Sequence, residues 1–368
     1  MKPFTLHIPD AATADLRERL ARTRLPDEPP LPPWSTGTSV AYLKSLLDYW
    51  QEGFDWRAWE AKLNSFPQFV APIRGIDLHF IHARGKKPDA PPLLLSHGWP
   101  GSVFEFHKII PLLTEHFTVI VPSLPGYTLS FKSGQQRSGV IEIAELFAEL
   151  MSTLGYERFG AQGGDWGSFI TSVLGNRYPR RVTGIHINLL PVRRDPSMLQ
   201  NPNAEEKAYL AQLNNFLKEE TGYQWIQGTK PQTLAFGLTD SPAGLAAWIV
   251  EKFHAWTDNK GNPEDAVSRD EMLANISLYW FTGAIGSSFW PYYARMHGPW
   301  PIPDGETVAV PMGYAEFPRE ILSPPRSLAA RTFTDIRRWT RMDKGGHFAA
   351  LEQPEALARE VIAFFGSL

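Results

Sequence analysis

The 368-residue chain contains no cysteine, which removes disulfides, thiolate metal sites and thiol nucleophiles from consideration. It has no apolar run near the roughly 18 residues of a membrane span. Its opening, Met1-Lys2-Pro3-Phe4-Thr5-Leu6-His7-Ile8-Pro9-Asp10, holds no apolar core of the kind that marks a secretory signal. Charge of one sign is also missing. The 36 Lys and Arg stand against 39 Asp and Glu, for a net charge of −3, so neither a nucleic-acid footprint nor a polybasic membrane patch stands out. No internal repeat is visible, and the one biased segment is a proline cluster at Pro26, Pro29, Pro30, Pro32 and Pro33. The expectation is a soluble, cytoplasmic globular protein that works away from nucleic acid and membrane. Aromatics, by contrast, are plentiful: 13 Trp and 22 Phe point either to an apolar pocket or to aromatic-rich packing between layers.

Periodicity divides the chain. Phe4 to Ile8 alternates like a short strand, and Asp10 is placed to cap a helix over 11–22, where Leu16 and Leu20 fall at helical spacing. A second helix is expected over 40–51. From Ile76 the pattern becomes strand-like, at 76–81, 92–96 and 117–121. A helix over 140–154, a short strand over 158–162, a further helix through Val173 and a strand over 182–190 follow. Strands alternating with helices imply a parallel sheet with crossover helices, whose ligands sit at the C-terminal strand ends. Between about Pro191 and Pro301 the alternation stops and helices are expected at 204–219, 243–256 and 270–282. Strand-like segments return at 307–312 and 333–342, before a last helix over 354–365. The predicted organisation is an N-terminal extension (1–75), an α/β core in two parts (76–190 and 302–368) and a helical lid inserted between them (191–301).

The chemistry starts at Gly163-Gly164-Asp165-Trp166-Gly167. Small residues around a central side chain are what a sharp strand-to-helix turn needs to present a nucleophile. Here that residue is a carboxylate, ionised at pH 7 without a base, which attacks carbon and leaves an ester for water to hydrolyse. An Asp capping a helix is the plainer alternative for the pentapeptide. Ser96-His97-Gly98-Trp99-Pro100-Gly101 ends an apolar strand in a tight turn. The N–H of Trp99 there, with that of Trp166 after the nucleophile, would form an oxyanion hole. His347, in Gly345-Gly346-His347-Phe348, follows the last strand and has the pKa range of a base for water. Glu320, in Phe317-Pro318-Arg319-Glu320, is placed to orient it, with Glu316 nearby as a competitor. Nucleophile, acid and histidine, each after its own strand, come in the order of the α/β-hydrolase triad.

The set of motifs resembles the epoxide hydrolases of the α/β-hydrolase fold, and more closely the microsomal-type branch with an N-terminal extension. The similarity covers nearly the whole chain. It is carried by Asn64-Ser65-Phe66-Pro67-Gln68-Phe69, His97-Gly98-Trp99-Pro100-Gly101, Gly160-Ala161-Gln162-Gly163-Gly164-Asp165-Trp166-Gly167 and Gly345-Gly346-His347-Phe348-Ala349-Ala350. Asp240-Ser241-Pro242-Ala243-Gly244-Leu245 and Leu278-Tyr279-Trp280 add to it within the insertion. The resemblance implies Asp165 as nucleophile, His347 as base and Glu320 as orienting acid. It also implies two lid tyrosines that hydrogen-bond the epoxide oxygen. One matches Tyr223 and the other Tyr292, with Tyr293 the alternative because Pro291 is unexpected beside it. Phenols with a pKa near 10 stay protonated at pH 7 and can donate as an alkoxide forms. The implied reaction takes a small apolar or aryl epoxide and water to a vicinal diol, with no cofactor and no metal. A homo-oligomer remains compatible with the chain. Unlike membrane-bound relatives, the sequence begins at the extension itself, which fits a soluble, bacterial-like enzyme. A dehalogenase with the same Asp nucleophile is the rival within the fold, and a non-catalytic ligand-binding member is the rival outside enzymes.

Overall fold

The computed structural model describes residues 1–193 and 201–368. A nine-stranded sheet runs through it, with β1 (Lys2–Phe4), β2 (Gln68–Ile73), β3 (Ile76–Ala83), β4 (Pro92–Ser96) and β5 (Thr118–Pro122). It continues with β6 (Phe159–Gly163), β7 (Val182–Ile187), β8 (Met312–Glu316) and β9 (Ile336–Arg341). The spatial order is β1-β2-β3-β5-β4-β6-β7-β8-β9. The first three strands and the β3–β5 pair are antiparallel, and every pairing from β5 to β9 is parallel. β5 and β6 are buried along their whole length, because helices cover both faces, as an α/β sheet requires. This is the mostly parallel sheet that the alternation predicts, in the α/β-hydrolase arrangement that the resemblance implies.

The helices of eight or more residues are α1 (Asp10–Ala21), α2 (Val40–Glu52), α3 (Trp56–Asn64), α4 (Val140–Thr153) and α5 (Asp165–Arg177). In the insertion lie α6 (Ala204–Glu219), α7 (Gly222–Thr229), α8 (Pro231–Asp240), α9 (Pro242–Trp256), α10 (Arg269–Thr282) and α11 (Trp290–His297). The chain closes with α12 (Pro354–Phe365). Most expected helix and strand positions hold to within a few residues, and three expectations change. Asp10 lies in the first turn of α1 and caps nothing; Pro9 occupies the cap. The alternation from Phe4 to Ile8 yields only the short β1, because the N–H groups of Leu6 and Ile8 donate to side chains, Asn64 Oδ1 at 2.8 Å and Glu60 Oε1 at 2.6 Å. The apolar run at 307–312 is not the strand. Val308 makes a single bridge to Phe333, and β8 begins at Met312, where the chain comes into register with β7 and β9.

The N-terminal residues brace the insertion. Trp50 Nε1 donates to Ser277 Oγ at 3.0 Å, Tyr49 donates to Asp270 Oδ1 at 2.8 Å, and Trp34 stacks on His254 with centroids 3.9 Å apart. Among the described residues no helix is long and apolar enough to cross a membrane.

Candidate active site

β6 ends at Gly163, and the chain turns through Gly164 into α5 with Asp165 at φ +47°. A non-glycine residue held in the left-handed region stores roughly 1–3 kcal/mol, the kind of strain that accumulates at functional sites. The neighbours explain why the surrounding residues are glycine. A Cβ on Gly167 would stand 1.9 Å from the Ser96 carbonyl oxygen, one on Gly163 2.3 Å from that of Gly167, and one on Gly98 2.1 Å from Asp165 Oδ1. Helix, strand and carboxylate therefore approach more closely than any side chain permits. We expect Gly167→Ala to lower stability by about 3 kcal/mol, the upper range for overpacking a rigid contact, read as a lower denaturant midpoint at unchanged m. A midpoint equal to the parent's would refute that account of the turn.

The helix-cap alternative for Asp165 fails on geometry, since Gly164 is the cap residue and no side chain caps this helix. Instead Asp165 Oδ1 accepts the Trp99 N–H at 2.8 Å, and Oδ2 stands 3.4 Å from His347 Nε2. His347 Nδ1 stands 2.6 Å from Glu320 Oε1. Trp166 is the second residue of α5, where an N–H has no partner within the helix. Two loops deliver the acid and the histidine together. The Arg319 N–H donates to the Gly345 carbonyl at 3.1 Å, and the His347 N–H donates to that of Trp256 at 2.8 Å. Gly345, at φ +106°, makes the turn between them. His347 is buried, 4 % exposed. Glu316 is engaged elsewhere, accepting from Trp339 Nε1 at 2.9 Å and from Arg341. It does not compete for His347.

The electrostatics follow from this line of charges. Burial alone would lower the His347 pKa. The Glu320 carboxylate, the hydrogen bonds to Asp165 and Glu320 and the Asp165 charge outweigh it, so the imidazole titrates well above the usual histidine range. Glu105, on the turn Val103–Phe106 after Trp99, was not anticipated from sequence. Desolvation pushes its carboxyl up to about 8. His347 opposes that rise, and the charges of Asp165 and Glu320 add to it.

Two tyrosines reach the site from α7 and α11 of the insertion. The Tyr223 ring stacks on Trp99 at 5.4 Å, and the Tyr292 ring stands edge-on to Trp166 at 4.8 Å. The two tyrosine rings are 5.7 Å apart, and Tyr223 Oη accepts from Gln224 Nε2 at 2.8 Å. Burial, then the neighbouring Tyr223 and Asp165, raise the Tyr292 phenol well above its usual range. Pro291 fits because it falls in the first turn of α11, where its missing N–H costs no helical bond. Tyr293 points elsewhere. It stacks on His297 at 4.0 Å and lines an outer cleft with Gly139 and Glu142. Asp165, Trp166, Tyr223 and Tyr292 share a cavity of about 310 Å³ with Phe169, Leu189, Leu217, Trp225, Met296 and Trp300. No cluster of metal-ligating side chains occurs among the described residues.

The insertion is tied to this floor through α10. Asn275 Nδ2 donates to the Pro100 carbonyl at 2.7 Å, Tyr279 Oη to that of Gly101 at 2.7 Å, and Ser102 Oγ to Asn275 Oδ1 at 2.8 Å.

Comparison with known proteins agrees with this architecture. Residues 1–106 match the family described as epoxide hydrolase N terminus, and residues 91–227 match the alpha/beta hydrolase fold. Epoxide hydrolase 1 of Oryctolagus cuniculus is 39% identical over 407 residues, spanning 100% of this chain and 89% of that protein. The epoxide hydrolase structure from Aspergillus niger superposes with a TM-score of 0.87 at 32% identity, covering 100% of this chain and 96% of that one. The crystal structure of juvenile hormone epoxide hydrolase from the silkworm Bombyx mori gives 0.89 at 32% identity, covering 100% and 94%. With its α/β-hydrolase sheet, its matching N-terminal region and full-length relatives of this identity, the chain belongs to the epoxide hydrolase family.

Proposed function

We propose that the protein hydrolyses apolar or aryl epoxides to vicinal diols through a covalent ester on Asp165. The observation that carries this is the unbroken line from Glu320 through His347 to Asp165, at 2.6 Å and 3.4 Å, directly below a cavity that also holds two buried phenols. Asp165 attacks a ring carbon while Tyr223 and Tyr292 donate to the epoxide oxygen. His347, held by Glu320, then takes a proton from water, and the resulting hydroxide attacks the ester carbonyl. The N–H groups of Trp99 and Trp166 serve the oxyanion of that step. The apolar lining contributed by Trp166, Phe169, Leu217, Trp225 and Trp300 supports an apolar substrate class. The reading needs no cofactor. A halide-releasing reaction on the same nucleophile is disfavoured by phenol donors, which suit a leaving group that becomes an alkoxide.

The tyrosine roles give the test. Tyr223→Phe and Tyr292→Phe should each slow ring opening by about 10²- to 10³-fold, the scale of losing one donor to a developing oxyanion, while leaving ester hydrolysis nearly unchanged. Rapid-quench measurement of the ester on a styrene-type epoxide separates the two steps. If both variants open the ring at the parent rate, the phenols are not the donors.

A further inference from the structure

Lys252 occupies a place where a lysine is expensive. It lies on α9, its side chain only 6% exposed, with Nζ 2.5 Å from Glu251 Oε2. The same ammonium stands 4.3 Å from the centroid of the Tyr223 ring and 5.2 Å from that of Trp256. Glu251 is 26% exposed. The ion pair therefore reaches toward solvent on one side, while the cation covers two aromatic faces on the other. A cation over an aromatic face in a desolvated setting is held by the ring's quadrupole. Once the phenol has lost its proton, the charge spread into that ring strengthens the attraction.

We propose that Lys252 is a positioning residue that makes Tyr223, rather than Tyr292, the phenol that surrenders its proton when the epoxide opens. The inference rests on the proton-donor reading above. One Asp165 oxygen forms a bond to a ring carbon, the ring C–O bond breaks toward oxygen, and that oxygen takes the Tyr223 proton, leaving a phenolate under Lys252. In the second half His347 takes a proton from water, and hydroxide adds to the ester carbonyl. Expulsion of the product alkoxide follows, and the alkoxide takes the proton from His347. Asp165 is left as the free acid, whose proton passes through solvent to the phenolate. The Gln224 amide already donates to Tyr223 Oη at 2.8 Å. Tyr292 instead sits edge-on to Trp99 and Trp166.

The titratable and charged groups around Tyr223 are few. Lys252 and Glu251 come from α9, Glu220 from the residues before α7, and Tyr292 and Arg295 from α11. Asp165 lies in the same cavity, and His347 packs on the far side of Trp256. From α8 there is only Asp240, which pairs with Arg19.

The experiment follows ester formation in single turnovers across pH, for Lys252→Met and Lys252→Arg in the parent, Tyr223→Phe and Tyr292→Phe backgrounds. Removing the charge should slow ring opening about tenfold and leave ester hydrolysis within about twofold. Because the ammonium favours the phenolate, its loss should also move the alkaline limb of ring opening to higher pH. Lys252→Arg should restore both rate and limb. Lys252→Met should add nothing to Tyr223→Phe and keep its full effect in Tyr292→Phe. An unshifted limb, an undiminished ring-opening rate, or an equal effect in the Tyr223→Phe background would overturn the role. A Tyr223→Phe variant that opens the ring at the parent rate would instead overturn the donor reading beneath it, and the Lys252 role with it. Should Lys252→Met fail to fold, ultraviolet difference titration of the parent against Tyr223→Phe decides. Tyr223 should ionise below the ordinary phenol value of about 10, and ionisation at or above that value refutes the proposal.

Discussion

Asp165→Ala should lose turnover of every epoxide by a factor on the order of 10⁴ or more, the scale seen when a nucleophile is removed from a unit that acts together. Among the described residues lining the cavity, Asp165 is the sole carboxylate. Asp165 lies at the cavity floor with one oxygen on the Trp99 N–H, and Glu320 is occupied with His347. The fold should survive. Alanine at φ +47° costs about 1–2 kcal/mol, a fraction of ordinary domain stability, and the glycines that let the turn close are untouched. Circular dichroism and the denaturation midpoint check the fold, and diol formation from a styrene-type epoxide checks activity. A folded variant that still makes diol at more than a trace rate removes Asp165 from the mechanism.

His347→Gln should separate the two half-reactions. Glutamine fits the space and can still donate to Glu320, but it cannot take a proton from water. Ring opening should proceed once and stop, with steady-state turnover reduced by about 10²- to 10⁴-fold, the usual contribution of a general base. Mass spectrometry of the quenched variant should find one substrate mass added on the peptide containing Asp165, and a substrate-saturated variant without that adduct would refute the ester. In the parent, a single turnover in ¹⁸O-water should place the label on Asp165 and leave the first diol unlabelled.

The pH dependence has a definite sign. In the resting protein Asp165 helps to hold His347 protonated, as does Glu320. Esterification removes the Asp165 charge, so the histidine pKa falls during the first half-reaction and the neutral base appears when water is needed. Ester hydrolysis should therefore decline as pH drops through the His347 pKa of the ester, leaving an acid limb on that step alone. Stopped-flow traces of the two phases across pH would expose it. An acid limb confined to ring opening would contradict the assignment.

What was legible in the sequence was what local sterics impose. Gly163, Gly167 and Gly98 are required by contacts too short for a Cβ, so the elbow left its mark on the chain, and the order of Asp165, Glu320 and His347 supplied the rest. The extension was harder to read. β2 contains Pro72 and sits toward the sheet edge, while the alternation at Leu6 and Ile8 is satisfied by distant side chains. β8 holds Gly313 and Glu316 and owes its register to β7 and β9, whereas the more apolar Val308 run beside it makes only an isolated bridge to Phe333. Tyr292 and Tyr293 differ only in which side of α11 they occupy, and packing decides that. Lys252 did leave a signal. It shares the spacing of Leu245, Ile249 and Trp256, all buried on one helix face, and a lysine in that series asks for a partner. Glu105 left none.

The bonds from Asn275 and Tyr279 to the carbonyls of Pro100 and Gly101 bolt the roof of the chamber to its floor. The same short turn carries the Trp99 N–H that meets Asp165. A roof hinged at that edge would drag the catalytic turn along with it. Passage in and out then falls to the doorway, where Trp225 is 61% exposed, Met296 38% and Leu217 37%. None of these three side chains makes a bond that ties the roof to the floor. The residues at the threshold and the bonds that hold the nucleophile are thus separate parts of the chamber.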